Sequence, residues 1–276
     1  SHDKFSNWAC DFNFTTDNML VYDTHDFNDM PFYGTVFATG TARMTSNTDG
    51  LFLSATLENG ANSRIIYNSG DVGGVRDNSF ITFTDSRKKA NSMGKGKEID
   101  KYSFLSRLNL DFMLDINDRM QLKVYTNMQS DDYIDLYGIG PIHAIYDEHE
   151  GFSMKGNLNL ERGAYKFTIQ DIFPKEFSIT KGSKLHFNGD PFNAQLDLRT
   201  KYLVPSVSLS DLAPEIARRK NVKVNCLMNI GGTLQAPSLT FGIELPEGSE
   251  EEKEILASSI STPEQRNMQF VYLLGI

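Results

Sequence analysis

Cysteine is scarce in this sequence, which has only Cys10 and Cys226. The two form no C-x-x-C pair and have no histidine cluster nearby, so the sequence supports neither a zinc site nor a redox centre. Their spacing leaves open whether they form a disulfide with each other.

Positive charge is also in short supply. The 276 residues include 27 Lys and Arg against 36 Asp and Glu, which gives a net charge of -9. A nucleic-acid groove needs a basic stripe to neutralise phosphates, so nucleic acid is excluded as a partner. The basic residues that do cluster lie in Arg87–Lys101, which has almost no apolar residues and is predicted to be a mobile loop between strands. The alternative for this loop is a patch for anionic lipid headgroups.

Long apolar runs are missing as well. No stretch of about 18 apolar residues could form a membrane-spanning helix, and no charged-then-apolar leader marks a signal peptide. The chain starts abruptly at Ser1, before any recognisable element. We therefore interpret the sequence as a piece of a longer protein.

Catalytic motifs are not found. There is no G-x-S-x-G and no H-E-x-x-H, and Gly138-Ile139-Gly140 lacks the third glycine and the helix of a dinucleotide fingerprint. His143 and His186 lie on predicted strands without a spaced partner, and the acidic cluster at 147–150 fits a solvated turn better than a metal site. We predict a protein that is not an enzyme, with no catalytic residue, metal or cofactor.

Alternation of apolar and polar residues is what the sequence does contain. It is most regular between Phe152 and Tyr202, where we predict that Arg162-Gly163 reverses the chain between two strands. Further turn signals stand at Lys181-Gly182 and at Asn188–Pro191. This pattern predicts an antiparallel meander with one apolar face.

The same alternation extends in both directions along the chain. Before this stretch lie Tyr33–Met44 with Leu51–Leu57, then Leu108–Ile116 and Met120–Val124 on either side of a turn at Asn117-Asp118. No helical periodicity interrupts these segments. The strands are therefore predicted to be linked as hairpins and to pair antiparallel.

The end of the chain changes character. After a last predicted hairpin at Val222–Leu245, Ser249 and Glu252 have the spacing of a helix capping box. Thr262-Pro263 with Gln265 repeats that start signal. We predict an all-β sheet over residues 1–246 and a helical segment over 247–276, whose helices could cover a sheet edge.

Several segments carry a family resemblance: 156–165, 177–183, 187–197 and the close of the chain from 232 onward. Together they are similar to the C-terminal region of TamB, the translocation and assembly module subunit. The segment 79–83 resembles Bacteroidetes members of this family. The resemblance implies an AsmA-like bridge in the periplasm, anchored in the inner membrane by an N-terminal helix outside this sequence. It also implies a long sheet curled into an open trough with an apolar interior, the β-taco architecture.

The resemblance links such proteins to phospholipid transport and to outer-membrane protein assembly or secretion, beside an Omp85-class barrel that is TamA-like or BamA-like. The residues agree on one point: a single sheet with one apolar face must curl, dimerise or bind something oily. Whether it is an open trough or a closed barrel stays open. The expected groove for phospholipid acyl chains is lined by Leu158, Leu160, Tyr165, Phe167, Ile169, Phe177, Ile179, Leu185, Phe187, Leu196, Leu198, Val224, Met228 and Phe241.

Two other functions remain open from the sequence. The sheet could be a docking platform that lends an edge to outer-membrane strands by β-augmentation without conducting lipid. A β-rich glycan-active enzyme would need two carboxylates facing each other across a cleft. No such pair can be located, and the alternating Asp and Lys residues fit an outer, solvated face.

Overall fold

The structure, a computed structural model, describes most of the chain: residues 10–26, 32–47, 50–68, 108–147, 150–169, 173–213, 221–234 and 236–275. The predicted mobile loop at 87–101 and the family-like segment 79–83 lie outside the described residues.

The described residues form one sheet of 13 strands, with three short α-helices, so the predicted all-β class with C-terminal helices is confirmed. The strands are β1 Cys10–Thr24, β2 Phe32–Asn47, β3 Gly50–Asn59, β4 Arg64–Asn68, β5 Leu108–Ile116, β6 Gln121–Asn127, β7 Asp132–Asp147, β8 Gly151–Ile169, β9 Phe173–Ile179, β10 Lys184–Gly189, β11 Gln195–Ser208, β12 Asn221–Gly232 and β13 Pro237–Glu244. The helices are α1 Leu209–Leu212, α2 Glu250–Ser259 and α3 Pro263–Leu274.

Strand pairing is antiparallel along most of the sheet, from β1 beside β2 at one edge to β12 beside β13 at the other. Two pairs are parallel, β3 with β5 and β4 with β6, and here the prediction of a wholly antiparallel sheet is wrong. Parallel neighbours need a long connection because the chain must return to the end from which it started. The long connection 69–107 between β4 and β5 meets this requirement.

Two of the predicted turns do not reverse the chain, and a third turn, at Asn59-Gly60, behaves in the same way. At Asn59-Gly60, β3 and β4 both pair with β2; at Asn117-Asp118, β5 and β6 both pair with β7; at Lys181-Gly182, β9 and β10 both pair with β8. Each site is therefore a jog, a tight four-residue turn after which the strand resumes beside the same neighbour. The third turn residue has a positive φ in two of the jogs, 63° at Asn62 and 95° at Gly182.

Buried serines hold two of these jogs to the adjacent strand. Ser183 Oγ donates to the Thr180 carbonyl oxygen at 2.8 Å and accepts from the Arg199 N–H at 2.9 Å. Ser63 makes the same two kinds of bond and accepts from the Phe37 N–H at 3.0 Å. The serine thus replaces the backbone ladder where the jog interrupts it.

The predicted reversal at Arg162-Gly163 is also wrong, because β8 runs through it as one strand of 19 residues. The pairing with β7 shifts register at this point instead, between Tyr137 and Gly138. A Cβ at Gly163 would lie 2.4 Å from the Asp135 carbonyl oxygen, so the glycine permits close backbone approach rather than a turn.

Both predicted helix starts are confirmed. Ser249 Oγ accepts from the Glu252 N–H at 3.2 Å, and the Glu252 carboxylate accepts from the Ser249 N–H at 2.9 Å. Thr262 and Gln265 form the same reciprocal pair ahead of α3. These capping boxes satisfy backbone N–H groups that have no partner within the first helical turn.

We expect Ser183→Ala to lower the free energy of unfolding by about 1 to 3 kcal/mol, because the Arg199 N–H loses its acceptor within the sheet. The change is measured by urea denaturation. The control is Ser178→Ala, an exposed position on β9, which should stay within about 0.5 kcal/mol of the parent. Equal stability of Ser183→Ala and the parent would contradict the role of the serine bridge.

Candidate functional site

One face of the sheet carries a continuous apolar surface, here called the inner face. Residues that are direct partners on neighbouring strands share a face, so pairing traces rows across the sheet. One row crosses six strands through Phe14, Ala42, Ala55, Phe112, Ala144 and Met154. Another crosses β3, β5, β7, β8 and β10 through Leu57, Leu114, Ile142, Gly156 and Phe187.

The structure brings the predicted groove residues together on this face. Eleven are buried members of one hydrophobic cluster: Leu158, Leu160, Tyr165, Phe177, Ile179, Leu185, Phe187, Leu196, Leu198, Val224 and Met228. Phe167 and Phe241 are partly buried and pack against that cluster. Ile169 ends β8, and its side chain lies outside the described part of the structure. That these residues bind lipid stays a prediction.

Burial differs between the middle of the inner face and its first strands. Leu160 on β8 is 1% exposed, whereas Phe12 on the edge strand β1 is 49% exposed and Phe112 on β5 is half-buried. Sequence reasoning left the apolar residues of the first strands out of the groove. The alternation pattern was a signal that could have assigned these residues to the groove, because Phe12 and Phe14 alternate with polar residues as the apolar residues of the later strands do.

The C-terminal helix α3 occupies the other end of the inner face. The ring of Phe270 lies 4.3 Å from that of Phe241 on β13 and 6.0 Å from that of Phe177 on β9. Leu273 and Leu274 are buried beside it. The helix therefore covers the apolar face of the last strands. The i, i+3, i+4 spacing of these three residues is the sequence signal for such a contact.

The middle strands are buried without a helix over them. Leu136 on β7 is 3% exposed, yet α3 contacts β11, β12 and β13. No described segment forms a second layer over β7 and β8. We infer that the sheet curves around its own apolar face, since a flat single layer would leave one side in water.

The opposite face is polar and solvated. Its ion pairs include Lys166 with Asp131 at 2.6 Å and Lys181 with Glu161 at 2.6 Å. The hydrogen bond from Arg43 lowers the pKa of the exposed Asp11 carboxyl. Exposed pairs of this kind add little stability, so their main effect is to keep this face in water.

The two strand histidines have ordinary polar partners. His143 lies 2.7 Å from the Asp111 carboxylate, and His186 lies 2.7 Å from the Asn157 side-chain oxygen. In the acidic cluster, the Asp147 carboxylate accepts from the Glu150 N–H at 2.7 Å, and residues 148 and 149 lie outside the described residues. Within the described ranges, no three His, Cys, Asp or Glu side chains come together as metal ligands.

Both cysteines are free thiols, which answers the question that the sequence left open. Cys226 is fully buried on the inner face of β12, where it pairs with Tyr202 of β11. Burial raises the pKa of the Cys226 thiol to about 12, and the positive charge of Lys175 acts in the opposite direction.

Comparison with known proteins identifies a family. The family model described as TamB C-terminal domain matches residues 1–275, which is nearly the whole chain. No match was found among curated proteins. None of the helices in the described residues is long and apolar enough to cross a membrane.

We expect a water-soluble thiol reagent such as Ellman's reagent to react with Cys10 alone in the folded protein and with both cysteines in urea. At pH 9 the Cys226 thiol is still protonated, and the thiolate is the reactive form. Counting the released chromophore checks this. Reaction of both thiols in the folded protein would show that the inner face at β12 is open to water.

We expect Phe270→Ala to destabilise the protein by about 3 to 5 kcal/mol, because its ring fills the space between Phe177 and Phe241. The matched control on the same helix is Tyr272→Ala, whose side chain is 46% exposed and should matter little. Urea denaturation of the three proteins measures the difference. Similar losses of unfolding free energy in both variants would contradict specific packing of Phe270 between Phe177 and Phe241.

Proposed function

Because this chain belongs to the TamB family, matching its C-terminal domain, we propose that it is a segment of a periplasmic bridge whose inner face carries phospholipid acyl chains between the inner and outer membranes. The family is non-enzymatic and serves membrane-protein assembly and lipid transport in the cell envelope. What we propose beyond this family role is the phospholipid cargo, the route between the two membranes and the partners.

The observation that carries the proposal is the unbroken apolar inner face. It spans ten strand positions from β1 to β13 when each jogged pair counts once. At about 4.8 Å per strand this is about 43 Å, longer than the roughly 30 Å hydrocarbon core of a bilayer. Its β1 to β5 part stays accessible, and a folded protein rarely leaves an apolar surface exposed unless it binds something apolar.

The energetics favour acyl chains as the occupant. Each methylene that leaves water for this surface contributes about 0.8 kcal/mol. The contact is non-directional, so a chain can slide along the rows without breaking specific bonds. The half-buried residues of β1 to β5 supply the accessible part, while α3 closes the other end.

The wider setting follows from the family. We place the segment in the periplasm, with an inner-membrane anchor that precedes it in the full protein and an outer-membrane Omp85-class barrel, TamA-like or BamA-like, as partner. Residues 1–246 would act as the trough and residues 247–276 as its closure, a division that follows the boundary between sheet and helices.

A second function rests on a different observation. β1 is a 15-residue edge strand, and among the described strands it pairs with β2 alone. Its other edge offers backbone N–H and C=O groups to an incoming strand, which is the geometry of β-augmentation. A platform for outer-membrane strands could use this edge with no lipid on the inner face.

Neighbouring residues on β5 provide the test of the lipid function. Phe112 is half-buried on the inner face, and Met113 is exposed on the outer face. We expect Phe112→Asp to stay folded while the phospholipid that copurifies with the protein falls at least several-fold, because an unpaired carboxylate in the apolar row is costly to desolvate. Met113→Asp should bind lipid like the parent.

The measurement is mass spectrometry of lipid extracted from the purified chain, with circular dichroism to check the fold. If Phe112→Asp and the parent copurify with equal amounts of phospholipid, the inner face is ruled out as the binding surface. Lipid loss in both variants would point to a general effect of added negative charge.

A further inference from the structure

One cation stands on the apolar inner face. In the pairing of β8 with β9, Tyr165 faces Phe177 and Phe167 faces Lys175, so these four side chains share a side. Tyr165 and Phe177 are buried members of the hydrophobic cluster. Lys175 therefore projects to the inner side and is half-buried, while its neighbours Pro174 and Glu176 are exposed on the outer side.

The contacts of Lys175 leave most of its hydrogen-bonding capacity unused. Its Nζ donates to the Tyr202 hydroxyl at 3.4 Å, near the upper limit for a hydrogen bond, and lies 5.2 Å from the centre of that ring. An ammonium has three donors. Among the described residues, none offers it a second acceptor, and no carboxylate lies within ion-pair distance.

Several cations of the outer face are placed differently. Lys166, Lys181 and Lys223 each have a carboxylate within 2.7 Å. An ammonium that is partly withdrawn from water without a counter-ion is unfavourable. The position of Lys175 is thus an exception that calls for an anion from outside the described chain.

The residues around Lys175 belong to the inner face near α3. Tyr202 pairs with Cys226, and its ring lies 5.6 Å from that of Phe177, which Phe270 of α3 covers. The charge of Lys175 also reaches the buried Cys226 thiol. The ammonium and the tyrosine hydroxyl therefore stand beside the part of the inner face that α3 closes.

We propose that Lys175 and Tyr202 bind the anionic headgroup of an amphiphile, a lipid phosphate or a fatty-acid carboxylate, whose acyl chain lies along the inner face. The inference rests on the proposed function, and it adds a fixed binding site for the headgroup at one point on the apolar inner face. Lys175 donates to an anionic oxygen, and Tyr202, which now accepts from Lys175, still has its own O–H to donate.

The dimensions suit this ligand. From β9 to the edge strand β1 the inner face crosses six strand spacings, about 29 Å. An acyl chain that fills half of a bilayer core reaches about 15 Å. From the headgroup site at β9 such a chain would span about three strand spacings, toward β5, where the accessible residues begin.

The experiment compares charged and neutral lipids on four proteins: the parent, Lys175→Met, Lys175→Arg and Lys201→Met. Lys201 is the matched control, because it is an exposed outer-face lysine adjacent to Tyr202 in sequence. Each protein is incubated with an equimolar mixture of dioleoylphosphatidylglycerol and dioleoylglycerol, and separately with oleate and dioleoylglycerol. Bound lipids are quantified by native mass spectrometry, and urea denaturation checks folding.

We expect Lys175→Met to lower the ratio of bound anionic lipid to bound dioleoylglycerol about tenfold, since one charge-assisted hydrogen bond is lost. Lys175→Arg should largely keep the ratio, and Lys201→Met should not change it. A loss for phosphatidylglycerol alone assigns the site to phosphate, and a loss for oleate alone assigns it to carboxylate.

Two results would overturn the proposal and can be told apart. A ratio that Lys175→Met leaves unchanged, while the parent binds dioleoylglycerol, removes the headgroup site and leaves the apolar trough intact. A folded parent that binds neither the anionic lipids nor dioleoylglycerol removes the trough, and the headgroup site with it.

Discussion

The constraint on which this structure depends is that a single sheet with one apolar face must cover that face. The described part of the chain has one sheet and only three short helices, so a second layer is not available over most of the strands. Curvature of the sheet covers the middle, and α3 covers the last strands through Phe270, Leu273 and Leu274. The first strands stay partly uncovered. This uneven cover leaves one end a closed core and the other end accessible, which is where we propose that lipid binds.

The jogs interrupt three strands without ending their pairing with the same neighbour. Backbone groups that are left unpaired in a buried sheet are costly. At Ser63 and Ser183 the side-chain hydroxyl takes the place of the missing ladder bonds, and each strand resumes beside the same neighbour. The two faces therefore keep their parity across the break. The apolar rows pass from strand to strand without interruption for the same reason.

Parity also explains why Lys175 stands out. Along β9 the alternation assigns Phe177 and Ile179 to the buried side and Glu176 to water, and Lys175 occupies a position of the buried parity. A polar residue that breaks a local rule and has no counter-ion among the described residues is where function is expected. The same site has the one tyrosine hydroxyl that Lys175 contacts, and both lie where the cover by α3 begins.

Alternation and capping signals were enough to determine the all-β class, the helix starts and the side on which the groove residues lie, because face and cap depend on local spacing. The sequence alone could not distinguish a jog from a hairpin at Lys181-Gly182, since both use the same turn residues. It also misjudged Gly163, where the requirement is close approach to Asp135 on another strand. The parallel pairs, the seat of α3 and the contact of Lys175 with Tyr202 depend on which strands become neighbours. Only tertiary pairing, which joins residues far apart in the chain, decides that.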